Sequence, residues 1–352
     1  MKMKKFISLT LAAVMVLSMS LFMASCGSSD DGGEAKEPAE GAMKITGVIA
    51  TKLGDQSFND SANDGLNELG EKGFDVKVTE CNNDKTMFEQ SLISAAENSE
   101  VVVGVGSELD MIGKVAKDYP DTKFIWVDNI VEDYKDIPNL TCISYKQNEG
   151  SYLVGYIAGS MTESNVVGFI GGQDIDVIND FRVGYTQGAE QAGKDLGKEI
   201  KVVKNYTNDW SDTNAGAEVA QSQASAGADI IFCAAGGSGN GAIMKAEELG
   251  IKCIGVDKDQ RIEFPQYADY ILCSMIKNVH KSIVDYVTMF AEDESKWIGG
   301  DIFYAGSDGE YVKVAYGSDD MEKLVSEDII KALDEQMEKI KAGDIVVETA
   351  LK

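Results

Sequence analysis

Three aspartates, Asp55, Asp128 and Asp257, each follow an apolar run that reads as a β-strand. A carboxylate in such a place accepts two hydrogen bonds at once, from neighbouring hydroxyls or from a pair of N–H groups. The plainer reading is helix N-capping, a position that favours aspartate. Asp128 and Asp257 also occupy matching places in an internal repeat, which tilts them toward a ligand. Phe58 and Trp210 fall in loops at the same kind of edge. Their flat faces serve either as a hydrophobic plug or as a stacking platform. Negative groups repel an anion, so the expected ligand is neutral or cationic. Aromatic faces beside acceptors suit a nucleoside or a sugar.

Other chemistries find little support. His280 is the single histidine, in a stretch that reads as a helix, and no Ser-His-Asp or Cys-His pairing is evident. Cys81, Cys142, Cys233, Cys253 and Cys273 sit mostly inside apolar runs. An odd number without close pairs speaks against a disulfide framework or a zinc site, and buried small hydrophobes are the default. Two glycine loops fall short of nucleotide fingerprints. Gly104-Val105-Gly106 lacks a third glycine, and the run from Gly236 to Gly241 lacks the lysine of a phosphate loop. For both, a tight turn and a ligand contact stand equal. No cofactor, no metal and no enzymatic activity are expected.

The formal charge is -27, and Arg182 and Arg261 are the only arginines. Such a surface repels phosphate backbones and anionic lipid headgroups, which excludes nucleic acid as a partner.

The elements that must position the aspartates can be read from the periodicity. Strands are expected at 45–50, 76–79, 101–105 and 124–127, separated by helices with Leu66, Leu92 and Val115 on their apolar faces. Runs apolar at nearly every residue, alternating with amphipathic helices, indicate a parallel sheet covered on both faces. The pattern then restarts, with strands at 166–171, 200–204, 229–233 and 253–256. Ile45-Thr46-Gly47-Val48-Ile49 matches Val166-Val167-Gly168-Phe169-Ile170, and the run 123–128 matches 252–257. Two similar α/β lobes follow from this. Beyond Asp257, further strands are expected at 270–274, 302–304 and 311–315, and helices at 277–291 and 321–341. This tail must cross between lobes more than once. In open parallel sheets ligands bind beyond the carboxyl ends of the strands, where all three aspartates lie.

The chain start supplies an address. Met-Lys-Met-Lys-Lys, an apolar run to Met23 and Ala24-Ser25-Cys26 make a secretory signal over residues 1–25. The cysteine after small residues resembles a bacterial lipobox, which implies lipidation of Cys26. Residues 26–43 are small, acidic and unpatterned, and read as a flexible tether. The expected location is the outer face of a bacterial cell membrane, held by the lipid.

Several motifs together resemble one family. Asp55-Gln56-Ser57-Phe58-Asn59 is similar to the Asp-x-Ser-Phe-Asn signature of basic membrane protein (BMP) lipoproteins, which bind purine nucleosides. Asn148-Glu149-Gly150-Ser151-Tyr152-Leu153-Val154-Gly155 resembles their glycine-rich helix. Val167-Gly168-Phe169-Ile170-Gly171-Gly172, Gly236-Gly237-Ser238-Gly239 and Ile254-Gly255-Val256-Asp257-Lys258-Asp259-Gln260 also match. The resemblance spans about 44–308 and implies a type I periplasmic-binding-protein fold, two Rossmann-like lobes joined by crossover hinge segments. The expected lobes are 44–148 plus about 275–298, and 149–274 plus about 299–352. The implied partner is an ABC permease, with the receptor a monomer.

By the same resemblance, Phe58 and Trp210 stack on the two faces of a purine, Trp210 standing where the family more often has phenylalanine. Asp128 accepts from the base edge. Asp257 and Lys277 hold the ribose hydroxyls, with Asn59, Asp55 and Gly237 nearby. For Lys277 the alternative is a solvent-facing helix start, and for Phe181, which matches a family aromatic, a place in the core. A sugar, an autoinducer or a riboflavin-like compound stands as the alternative ligand, and ligand sensing as the alternative to import.

Overall fold

The computed structural model describes residues 39–351. The signal segment, Cys26 and most of the tether lie outside the described residues.

The chain alternates strand and helix from its first turn. β1 (Lys44–Ile49) leads to α1 (Phe58–Glu71), β2 (Asp75–Glu80), α2 (Lys85–Asn98), β3 (Val101–Val105), α3 (Ile112–Asp118), β4 (Lys123–Val127) and β5 (Leu140–Tyr145). α4 (Gln147–Met161) then opens a second round. It is followed by β6 (Val166–Gly171), α5 (Asp176–Leu196), β7 (Lys201–Tyr206), α6 (Thr213–Ser225) and β8 (Ile230–Ala234). Next come α7 (Gly236–Leu249), β9 (Lys252–Asp257), the short α8 (Gln260–Glu263) and β10 (Ile271–Lys277). α9 (Val279–Glu292), β11 (Asp301–Ala305), β12 (Val312–Ala315) and α10 (Glu327–Ala342) complete the described chain.

Two six-stranded sheets result, in the orders β2-β1-β3-β4-β5-β11 and β7-β6-β8-β9-β10-β12. The orders correspond strand for strand, so the internal repeat is a repeat of topology. Every neighbouring pair is parallel except β10 with β12. β3 is buried at all five residues, as a strand covered on both faces must be. α4 lies against α5 so closely that a side chain on Gly155 or Gly188 would meet the facing helix backbone. That contact is why a helix carries so many glycines.

Sequence and structure part in three places. β5 escapes the periodicity because Thr141 and Ser144 interrupt its apolar residues, yet the whole strand is buried. α9 supplies polar partners that the local pattern cannot show: Thr141 Oγ1 meets Tyr286 OH at 2.7 Å, and Tyr145 OH meets Ser282 Oγ at 2.5 Å. β11 belongs to the first sheet, not to the second lobe as the boundary near 299 required, because it pairs with β5. The approach to it is fixed by Trp297, whose indole packs on Tyr286 and Phe290 and donates to Pro138 O. Finally, α10 starts at Glu327 rather than near 321, capped by Ser326 Oγ.

The chain crosses between sheets after β5, after β10 and between β11 and β12. These crossings are tied to each other: Lys146 N donates to Ala305 O, and Asn278 N to Tyr311 O at 2.7 Å. They form the hinge side of a cleft whose walls are the carboxyl ends of both sheets.

Candidate functional site

The loop from β1 to α1 is built by its own carboxylates. Asp55 accepts from Ser57 N at 3.0 Å, Asn59 N at 2.9 Å, Asn59 Nδ2 at 2.8 Å and Asp60 N at 3.1 Å. Asp60 in turn takes Gly54 N and Gln56 N, both at 2.7 Å. Asp55 therefore does what the capping reading says, satisfying the orphan N–H groups of a helix start. Burial pushes its carboxyl up to about 6, against the pull of those backbone donors. The result is a rigid turn that presents Phe58, the first residue of α1, to the cleft.

Asp128 and Asp257 share an unusual backbone. Their φ values are +70° and +66°, the left-handed region that aspartate tolerates better than most residues. The turn at each strand end aims the carboxylate into the cleft. Asp128 is ion-paired with Lys277, and Asp257 accepts from the Ser57 hydroxyl of the opposite lobe. Burial raises both carboxyls, Asp257 to about 7, while Lys277 pulls each back down.

Lys277 is the last residue of β10 and only 2 % exposed, so it is not a solvent-facing helix start. Its ammonium lies 5.0 Å from the Phe181 ring centroid, 5.1 Å from Tyr145 and 5.3 Å from Phe58. Three aromatic faces and one carboxylate hold it. Phe181 packs on Phe232 in the core and also lines the cavity.

Trp210 sits in the loop after β7. Ser238 N donates to its carbonyl at 3.2 Å, and its indole lies against Gly172, where any side chain would collide with the ring. Gly172 thus seats the indole.

Between the two sheet edges lies a cavity. Asp55, Phe58, Asn59, Asp128, Phe181, Trp210, Asp257 and Lys277 all line it. Gly237 does not. The cavity wall there is Gly236, and Gly237 lies under the Trp210 carbonyl, 3.1 Å from where a Cβ would sit. Thr51, Ser107, Glu108, Val177 and Ile178 also contribute, though the sequence reading gave them no role. Their signal was positional: Thr51 and Glu108 follow β1 and β3 as Asp128 follows β4.

The lobes are closed over this space. Besides Ser57 to Asp257, Asn240 Nδ2 donates to Asp55 O at 3.0 Å, Gln260 Nε2 to Gln56 O at 3.3 Å, and Lys258 pairs with Asp64 at 2.9 Å. Four carboxylates and one ammonium line the cavity, a field that disfavours anions.

Residues 42–350 match the family model Bmp, described as "ABC transporter substrate-binding protein PnrA-like". The chain belongs to the Bmp family. Its relatives include the "CD4+ T-cell-stimulating antigen" of Listeria monocytogenes, 32% identical over 96% of this chain and 97% of that protein. Basic membrane protein B of Borreliella burgdorferi is 30% identical over 90% and 94%. The "ABC transporter nucleoside-binding protein BmpA" of Lactococcus lactis is 29% identical over 84% and 87%. Among solved structures, an ABC transporter solute-binding protein from Aeropyrum pernix superposes with a TM-score of 0.77 at 22% identity, covering 87% of this chain and 94% of that one. The fold is therefore that of type I periplasmic solute-binding proteins. The Bmp family is one of ABC transporter substrate-binding proteins.

Proposed function

We propose that this protein is a lipid-anchored receptor that encloses a purine nucleoside between its lobes and delivers it to an ABC permease. The supporting observation is the closed cavity itself, where the buried Asp128–Lys277 pair and Asp257 stand beside Phe58 and Trp210. Lys277 and the free oxygen of Asp257 offer one donor group and one acceptor to vicinal hydroxyls, the pattern a ribose presents. Phe58 and Trp210 offer stacking faces from the two lobes, worth about 1–3 kcal/mol per stacked base. A phosphate would meet four carboxylates, so the uncharged nucleoside fits better than a nucleotide. The name of the Lactococcus relative points the same way. Cys26 carries the lipid, and the receptor works as a monomer on the outer face of the cell membrane.

The cargo can be read directly. Protein purified under mild conditions is denatured, and the small molecules released are identified by mass spectrometry. A purine nucleoside at near-stoichiometric amount is the expected result. A hexose or a flavin in its place overturns the proposal.

A further inference from the structure

We infer that Glu108 is the residue that selects the nucleobase, and that it selects a guanine-type edge, with a ring N–H beside an exocyclic amino group. This rests on the nucleoside reading above and deepens it. Of the four carboxylates in the cavity wall, three have at least one oxygen engaged. Asp55 is saturated by N–H groups of its own turn, Asp128 gives one oxygen to Lys277, and Asp257 gives one to Ser57, so neither of these two keeps both oxygens free. Glu108 alone has no hydrogen-bond or ion-pair partner among the described residues, although it lines the same cavity and is only partly exposed.

The loop is shaped to bring it there. Gly106 has φ +114°, and a Cβ at that position would lie 2.9 Å from Glu108 Oε2 and 2.8 Å from the Ala50 side chain. Glycine at 106 thus permits both the turn and the folding back of the glutamate over it. Trp126 Nε1 donates to Gly106 O at 3.0 Å and fixes the loop from below.

A carboxylate has two parallel acceptors and no donor. Guanine offers two adjacent N–H donors in matching geometry, and hypoxanthine offers one. Adenine places a ring lone pair where a donor is needed, so its nitrogen faces the carboxylate unfavourably. A site built around an acceptor pair rejects a ligand that lacks the donors more strongly than it rejects one of slightly different size. Asp128, to which the family resemblance gives the base edge, keeps one free oxygen for a single donor, whereas Glu108 has both oxygens free for a pair of donors.

The test is calorimetric titration of the full chain with guanosine, inosine and adenosine, for the wild type, Glu108→Ala and Glu108→Gln. The wild type should bind guanosine at least about tenfold more tightly than adenosine, with inosine between, the scale of one charge-assisted hydrogen bond. In both variants the guanosine-to-adenosine ratio should fall by about tenfold. A ratio that stays fixed, including a variant that loses both nucleosides equally, overturns the assignment of Glu108 and leaves the nucleoside reading standing. A wild type that binds none of the three overturns that reading, and this inference with it.

Discussion

Asp128 and Asp257 end equivalent strands of two separate sheets with nearly the same left-handed φ, +70° and +66°. The duplicated turn delivers two carboxylates to one cavity from opposite lobes, and Lys277 on the hinge side lowers the cost of burying both. Closure and charge balance therefore share the same few atoms.

The Asp128–Lys277 pair should reveal itself in a double-mutant cycle. Asp128→Asn leaves a buried ammonium without its counter-charge, and Lys277→Met leaves a buried carboxylate alone. Breaking a buried pair from one side costs about 3–5 kcal/mol. Each single variant should unfold at lower denaturant, and the double variant should regain most of that loss while still failing to bind nucleoside. Simple additivity of the two losses in denaturant melts contradicts the pairing.

Trp210→Ala should weaken nucleoside binding by roughly tenfold, the loss of one stacking face. Gly172→Ala should weaken it comparably although Gly172 only backs the indole, because a methyl there pushes the ring into the cavity. Fluorescence titration of both variants checks this. Wild-type affinity in Gly172→Ala means the indole is not held where the structure places it.

The ligand-free protein should lose stability as pH rises through neutrality. Burial lifts Asp55 to about 6 and Asp257 to about 7, from an ordinary value of 3.8. A raised carboxyl favours the protonated folded state, so its contribution is complete below about pH 4 and disappears as pH climbs past 6 and then 7. Thermal melts from pH 5 to pH 8 should show this fall, and Asp257→Asn should flatten its upper part. A wild-type profile that rises across the window contradicts these shifts.

Cys26→Ala should release the protein from membranes. Fractionation of cells expressing the wild type should find it with the membrane and extractable by detergent, and the variant in the soluble fraction. Equal membrane retention of both contradicts lipid anchoring.

Much of the site was legible because it is local. Asp55, Phe58 and Asn59 form one turn, and the seven residues 54–60 contain most of its hydrogen bonds. Asp128 and Asp257 were legible as a repeat. What the sequence hid is non-local. β5 is buried through hydroxyls that find partners on α9, far along the chain, and β11 joins its sheet after two lobe crossings. Lys277 read as a helix start because its burial depends on Phe58, Tyr145 and Phe181, three residues from three elements. Glu108 drew no role because a glutamate after a glycine turn says nothing about which way it folds. Only the φ of Gly106 and the packing above it decide that.

The most direct measurement is calorimetric titration of the wild-type protein, freed of any retained ligand, with guanosine, inosine, adenosine, uridine and free ribose. Saturable one-site binding of a purine nucleoside is expected, with uridine and ribose weaker by about tenfold or more, since each lacks part of the stacked and hydrogen-bonded surface. No heat with any purine nucleoside, or ribose binding more tightly than all of them, contradicts it.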